Sequence, residues 1–174
     1  IPLNPTLQFA IDHGMKLSYV SRAVYREKET PAFVEKLRAD FGDFYLIPEG
    51  GTNGLALKGC EEFGASLTGV SADYVCLSVG TGGTMAGLIK GMPPSTTVLG
   101  FAALKHGEFL EGKIKELVGH GAYANWQLMT DYSYGGYGKR DDAVMNFIKS
   151  FREHMDVPLD FVYTGKMMCG LFDL

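Results

Sequence analysis

Cysteine is scarce in this 174-residue chain, and what there is forms no pattern. Cys60, Cys76 and Cys169 are an odd number at wide spacing without a CxxC, which argues against a disulfide framework and against a cysteine zinc site. A reducing compartment fits such a chain, so a cytoplasmic location is expected. His13, His106, His120 and His154 are scattered as well, with no HExxH or paired-ligand spacing, and no metal is expected. No apolar run approaches the roughly 20 residues that span a bilayer, so no membrane partner is expected. Excess positive charge is missing too: 16 Lys and Arg against 20 Asp and Glu leave a formal net charge of −4. Such a balance does not attract a polyanion, and nucleic acid is not an expected partner. The opening Ile1-Pro2-Leu3-Asn4-Pro5 lacks an initiator Met and a secretory n-region, and Gly170 to Leu174 stop within an apolar run. Both ends are expected to be cut from a longer protein.

What the chain does have is the composition of a soluble globular domain, 46% apolar and 21% charged, long enough for one domain or one with part of another. Short β-rich runs alternate with helical ones. Residues 17–20, 44–47, 74–79 and 98–101 are expected as strands, and 127–129 as a weaker one. Asn4-Pro5 and Thr30-Pro31 each pair a cap residue with proline at the first helical position, and Gly42 is placed to stop the second helix. Residues 109–118 set Leu110, Ile114 and Leu117 on one stripe, and 144–155 do the same with Phe147, Ile148 and Phe151. This alternation predicts an α/β fold with a mainly parallel sheet. In such sheets ligands bind where strands end and helices begin.

Two glycine-rich turns stand in that kind of position, one of them after the most apolar strand. Val79-Gly80-Thr81-Gly82-Gly83-Thr84 follows an apolar strand and precedes a helical Met85-Ala86-Gly87-Leu88-Ile89. Glycines let several amide N–H groups converge on one anion, and a helix N-terminus adds partial positive charge. The Thr81 and Thr84 hydroxyls can donate further bonds. The dinucleotide fingerprint would need glycine where Met85 stands, and Gly112-Lys113, Gly138-Lys139 and Gly165-Lys166 lack the Ser or Thr of a P-loop. A lone phosphomonoester suits the turn better than a nucleotide. The plain alternative is a tight strand-to-helix turn that binds nothing.

Four segments, in order, resemble one family. Ile47-Pro48-Glu49-Gly50-Gly51-Thr52-Asn53-Gly54 is similar to its IPxGGSN turn, and Ser78 to Leu88 to its phosphate loop. Tyr134-Gly135-Gly136-Tyr137-Gly138-Lys139 is similar to its tyrosine-glycine motif. Asp160-Phe161-Val162-Tyr163-Thr164-Gly165-Lys166 resembles its DPVYTGK segment, with Phe161 in place of proline. The family is that of D-cysteine desulfhydrase and 1-aminocyclopropane-1-carboxylate deaminase, fold-type II enzymes that use pyridoxal 5′-phosphate. The resemblance implies a three-layer αβα domain at residues 43–174 and the tail of a smaller domain at 1–42. It implies that Gly80, Thr81, Gly82, Gly83 and Thr84 hold the cofactor phosphate and that Tyr137 and Tyr163 face a small amino-acid substrate. It also implies a homodimer.

Thr164 aligns with a position that in the deaminase branch is a glutamate near the cofactor's ring nitrogen. A neutral Thr164 can hydrogen-bond that nitrogen without holding its proton, which resembles the desulfhydrase branch, whose chemistry is β-elimination of D-cysteine to pyruvate, ammonia and hydrogen sulfide. Ring opening of 1-aminocyclopropane-1-carboxylate is the alternative, and a phosphate-binding homologue without catalysis is another. Each tyrosine taken alone reads more readily as a core aromatic with a satisfied hydroxyl, since buried tyrosines usually find a partner. The family's Schiff-base lysine sits in an early GNK motif without a counterpart in these 174 residues. Lys58 and Lys166 are expected to be structural or solvated, and Asn53 to serve a turn.

Overall fold

The computed structural model describes residues 2–121 and 123–174, which divide into two compact units, Ile1–Leu46 and Ile47–Leu174. The division falls four residues beyond the expected 42/43 boundary. The first unit holds three helices, α1 (Pro5–Asp12), α2 (Arg22–Arg26) and α3 (Pro31–Phe41). Their starts follow cap chemistry: Asn4, Ser21 and Thr30 accept from the backbone N–H three residues on. Proline follows Asn4 and Thr30, and Gly42 closes α3 with φ +74°.

The second unit carries α4 (Gly54–Ser66), β1 (Tyr74–Val79), α5 (Gly83–Gly91), β2 (Thr97–Ala102), α6 (Phe109–Val118), β3 (Trp126–Met129), α7 (Asp142–Met155) and α8 (Thr164–Asp173). The three strands lie side by side in chain order, all parallel, from Tyr74↔Thr97 to Val79↔Ala102 and from Val98↔Trp126 to Phe101↔Met129. Side chains of a strand alternate between faces, and here both faces are covered. Val79, Val98 and Ala102 join Met85, Ile89, Leu110 and Ile114 of α5 and α6 in the main core. On the other face, Phe101 approaches α8 so closely that a Cβ on Gly170 would lie 2.9 Å from its Cε1. Two helical layers around a parallel sheet make the three-layer αβα arrangement.

Residues 17–20 and 44–47, expected as strands, have no sheet partner among the described residues and run irregularly. Their β-rich composition satisfies strand propensity, but a strand exists only where a neighbour completes its hydrogen bonds. The helix expected around Lys58 is α4, while α8 was under-read: its two glycines lower local propensity, and burial against neighbours overrides it.

In α4 and α5 the glycines have a packing reason. A Cβ on Gly91 would run into the Glu61 carbonyl, and one on Gly87 would lie 2.8 Å from the Leu57 carbonyl. The two helices therefore meet backbone to backbone, which fixes where α5 begins. Gly112, on α6, faces open space. We expect Gly91→Ala to destabilise by about 1–3 kcal/mol through overpacking and Gly112→Ala to stabilise by about 0.5–1 kcal/mol through reduced backbone entropy. Urea unfolding of both variants checks the contrast.

Candidate active site

The turn between β1 and α5 passes through space that no side chain could share. A Cβ on Gly83 would lie 2.6 Å from Thr52 Oγ1, one on Gly50 would strike the Thr81 side chain, and one on Gly80 would sit 3.3 Å from the Tyr163 hydroxyl. Gly82 caps α5 with φ +88°, a left-handed conformation that glycine adopts without penalty, and has no side chain to satisfy the helix's first amides. No acidic residue stands in the first turn of α5. A concave space of about 210 Å³ opens there, walled by the Ser78–Met85 turn, Gly50 and Tyr163.

Amides at a helix N-terminus that no capping side chain accepts from, with no carboxylate in the first turn, are suited to an anion. A second observation points the same way. Ser78 Oγ is buried at the wall of this space and has no hydrogen-bond partner. A buried hydroxyl left unpaired is costly, so a ligand accepting from it would satisfy it. Thr81 is partly committed already, since its hydroxyl shares a 2.7 Å bond with Thr52.

Tyr163 reaches the same space from the start of α8, and Asp160 holds it there. Asp160 Oδ1 accepts from the backbone N–H of Val162 at 2.8 Å and Tyr163 at 2.7 Å. Its Oδ2 accepts from the Thr164 N–H at 3.0 Å and the Thr164 hydroxyl at 2.6 Å. Partial burial works to raise the Asp160 pKa, but the bonds from Thr164, Tyr163 and Val162 together outweigh it and hold the carboxyl below its ordinary value. Burial, then the neighbouring Tyr137 hydroxyl, push Tyr163 up to about 12, with Asp160 adding to the effect. The Tyr137 ring packs edge-on against Tyr163, centroids 5.7 Å apart at 70°.

The residues singled out by sequence thus divide. Gly80, Thr81, Gly82, Gly83, Thr84 and Tyr163 line one space. Tyr137 adjoins that space through Tyr163 and is itself 58% exposed. Thr164 is not part of the wall; its hydroxyl closes the Asp160 turn. Asn53 caps α4, accepting from Ala56 N–H at 2.9 Å. Lys58 is exposed beside Glu62, and Lys166 is buried on backbone carbonyls. No lysine lines the space. Among the described residues no cluster of His, Cys, Asp and Glu could hold a metal, and no helix is long and apolar enough to cross a membrane. Sequence reasoning gave no role to Ser78, Thr52 or Asp160. A serine ending an apolar strand and an aspartate four residues before the helical Thr164 were the available signals.

The turn's stability should follow the Asp160 charge. Asp160→Ala is expected to cost about 1 kcal/mol near neutral pH, the usual loss of a helix cap. A carboxyl whose folded pKa lies below its ordinary 3.8 stabilises only while ionised. The difference between variant and parent should therefore fade as pH falls below that value, which thermal melts across pH will show.

No protein-family model matches the chain. A candidate 1-aminocyclopropane-1-carboxylate deaminase of Pyrococcus furiosus is 34% identical over 146 residues, covering 75% of this chain and 44% of the relative. A Thermotoga maritima protein of the same description is 29% identical across 99% of this chain and 61% of its own length. The D-cysteine desulfhydrase of Salmonella paratyphi C is 32% identical over 74% of this chain and 44% of itself. The chain thus spans about half the length of the curated relatives it matches. Among solved structures, a crystal structure of an ACC deaminase homologue superposes with a TM-score of 0.77 at 26% identity, covering 97% of this chain and 56% of that one. With the fold and most of the chain shared, the protein is a relative of the 1-aminocyclopropane-1-carboxylate deaminase and D-cysteine desulfhydrase family.

Proposed function

We propose that this chain carries the phosphate seat and substrate-facing tyrosines of a pyridoxal phosphate-dependent lyase of the D-cysteine desulfhydrase type. The observation that carries the reading is the shared space: a glycine cradle at a helix N-terminus, an unpartnered Ser78 hydroxyl and Tyr163 all border it. In this reading the amides of Gly80 to Thr84, with Ser78, hold the cofactor phosphate. Pyridoxal phosphate, when bound, supplies an electron sink for breaking the amino acid's Cα–H bond.

The chain's own residues then orient and protonate. With its pKa pushed up to about 12, Tyr163 keeps its proton on Oη at neutral pH. It therefore serves as a hydrogen-bond or proton donor to the substrate, and another group removes the Cα proton. Tyr137 closes the edge of the site over it. In this reading the lysine that holds the cofactor covalently is supplied by residues other than those lining this space. The 174 residues by themselves are expected to be inactive, and the full-length parent to work as a homodimer.

In the full-length protein, bound pyridoxal phosphate should give visible absorbance that borohydride removes, and D-cysteine should release hydrogen sulfide. Release of 2-oxobutanoate from 1-aminocyclopropane-1-carboxylate instead would move the protein to the deaminase branch. A colourless protein that binds nucleotide would overturn the lyase reading altogether. Tyr163→Phe should lower kcat by about 10²–10⁴-fold with little change in KM, the range of general acid–base catalysis. Thr164→Glu should weaken sulfide release, and an unchanged rate would count against a role for Thr164 near the ring nitrogen.

A further inference from the structure

Lys166 is only 2% exposed, the one fully buried charged side chain among the described residues. The lyase reading leaves it without a role. Its ammonium does not meet a carboxylate directly; it donates to the backbone carbonyls of Ser133 at 2.8 Å and Gly136 at 2.6 Å. Asp141 is near enough to favour its charge, but burial dominates and lowers its pKa. Taking an ammonium out of water is costly, and an apolar side chain of similar length would avoid that cost.

What the two carbonyls have in common is the loop they belong to. From Tyr134 to Gly138 the backbone is left-handed at four of five residues: Tyr134 φ +46°, Gly135 +84°, Gly136 +106° and Gly138 +65°. Such a run has little intrinsic preference for one shape. Two turn bonds within it, Gly136 N–H to Ser133 O at 3.0 Å and Lys139 N–H to Gly136 O at 3.1 Å, end on the same two carbonyls that the Lys166 ammonium gathers, so the cation braces both turns at once. Tyr137 stands inside this run, directly after a carbonyl that Lys166 holds. Tyr163 stands three residues before Lys166, at the other end of the same lysine's first helical turn. The loop and α8 also touch through the Tyr134 hydroxyl, 3.1 Å from Cys169 Sγ. Lys166 joins them from a buried position.

We propose that Lys166 is a positioning residue, a tethered cation that shapes the Ser133–Gly138 loop and so sets Tyr137 against Tyr163. The inference rests on the lyase reading for the importance of that pair, while the geometry of the tether stands without it. The test reads the tyrosines rather than turnover. In intact protein labelled with tyrosine ¹³Cζ, NMR titration follows the Tyr163 phenol directly, and Tyr137→Phe calibrates what losing the Tyr137 hydroxyl does. Burial is the larger cause of the raised value and the Tyr137 hydroxyl the next, so in Lys166→Met the Tyr163 titration should fall below about 12 by about as much as it does in Tyr137→Phe. Val144→Ala, a core truncation on α7 at a 1% exposed site, should leave it in place. An unmoved Tyr163 in Lys166→Met, or an equal movement in Val144→Ala, overturns the proposal. Should Lys166→Met fail to fold, Lys166→Gln, which keeps a shorter N–H donor, is read in the same way: a partial fall supports the tether and no fall defeats it. Sulfide release distinguishes the two ideas, since a displaced tyrosine pair in a protein without lyase activity removes the function but not the tether.

Discussion

The site depends on backbone lying where side chains cannot. Between β1 and α5 the chain must come close to three other segments at once: the Gly50–Thr52 turn, the Tyr163 hydroxyl, and Ile114 of α6, 3.0 Å from where a Gly82 Cβ would stand. A single methyl at any of these points would push the neighbour away or fill the space left for a ligand. The same device recurs one turn later, where Gly87 and Gly91 let α4 rest on the α5 backbone. The helix whose N-terminus faces the ligand space is thus pinned along its length by the absence of side chains. Its first amides point where they do because α5 cannot shift along α4 without a clash.

A second organisation is superimposed on this rigid one. The seven residues from Asp160 to Lys166 carry a charge at each end, and each charge organises backbone rather than another charge. Asp160 gathers the N–H groups of its own turn, and Lys166 gathers carbonyls of a distant loop. Charge-assisted hydrogen bonds are roughly twice as strong as neutral ones, which suits the holding of irregular backbone that no helix or sheet ladder supports. Tyr163 lies between these anchors, and its ring partner Tyr137 belongs to the loop that the second anchor holds.

Sequence reasoning reached the parts of this arrangement that are local. Cap residues located α1 and α3, a helical stripe located α6 to the residue, and the glycine turn marked the end of β1. Where partners decide the outcome, it went astray. Residues 17–20 have strand composition but no neighbouring strand among the described residues, and α8 has two glycines yet is helical where it packs on the sheet. At the site, Gly80 to Thr84 were legible because a phosphate turn is contiguous in sequence. The Thr52–Thr81 bond, the unpaired Ser78 hydroxyl and the Lys166 tether link residues about 30 apart or depend on burial, and no periodicity encodes them. Lys166 was legible only as a lysine unlikely to be catalytic; its burial reveals what it holds.

Thr164 shows how one position can answer two demands. From sequence its neutrality suggested an electronic role, a hydrogen bond to a cofactor ring nitrogen without custody of the proton. In the fold its one hydroxyl proton goes to Asp160 Oδ2, while its oxygen accepts from the Asp160 N–H at 2.9 Å. The turn therefore needs a side chain that donates and accepts at once, which only a hydroxyl at this reach can do. Turning that hydroxyl toward a ligand would forfeit one bond to a charged acceptor, about 1.5–3 kcal/mol, while the three N–H groups still hold the carboxylate. As the hydroxyl stands, its remaining capacity is that of an acceptor. The Asp160 turn comes first, and any influence of Thr164 on a bound ring follows from how that turn has already spent its hydrogen.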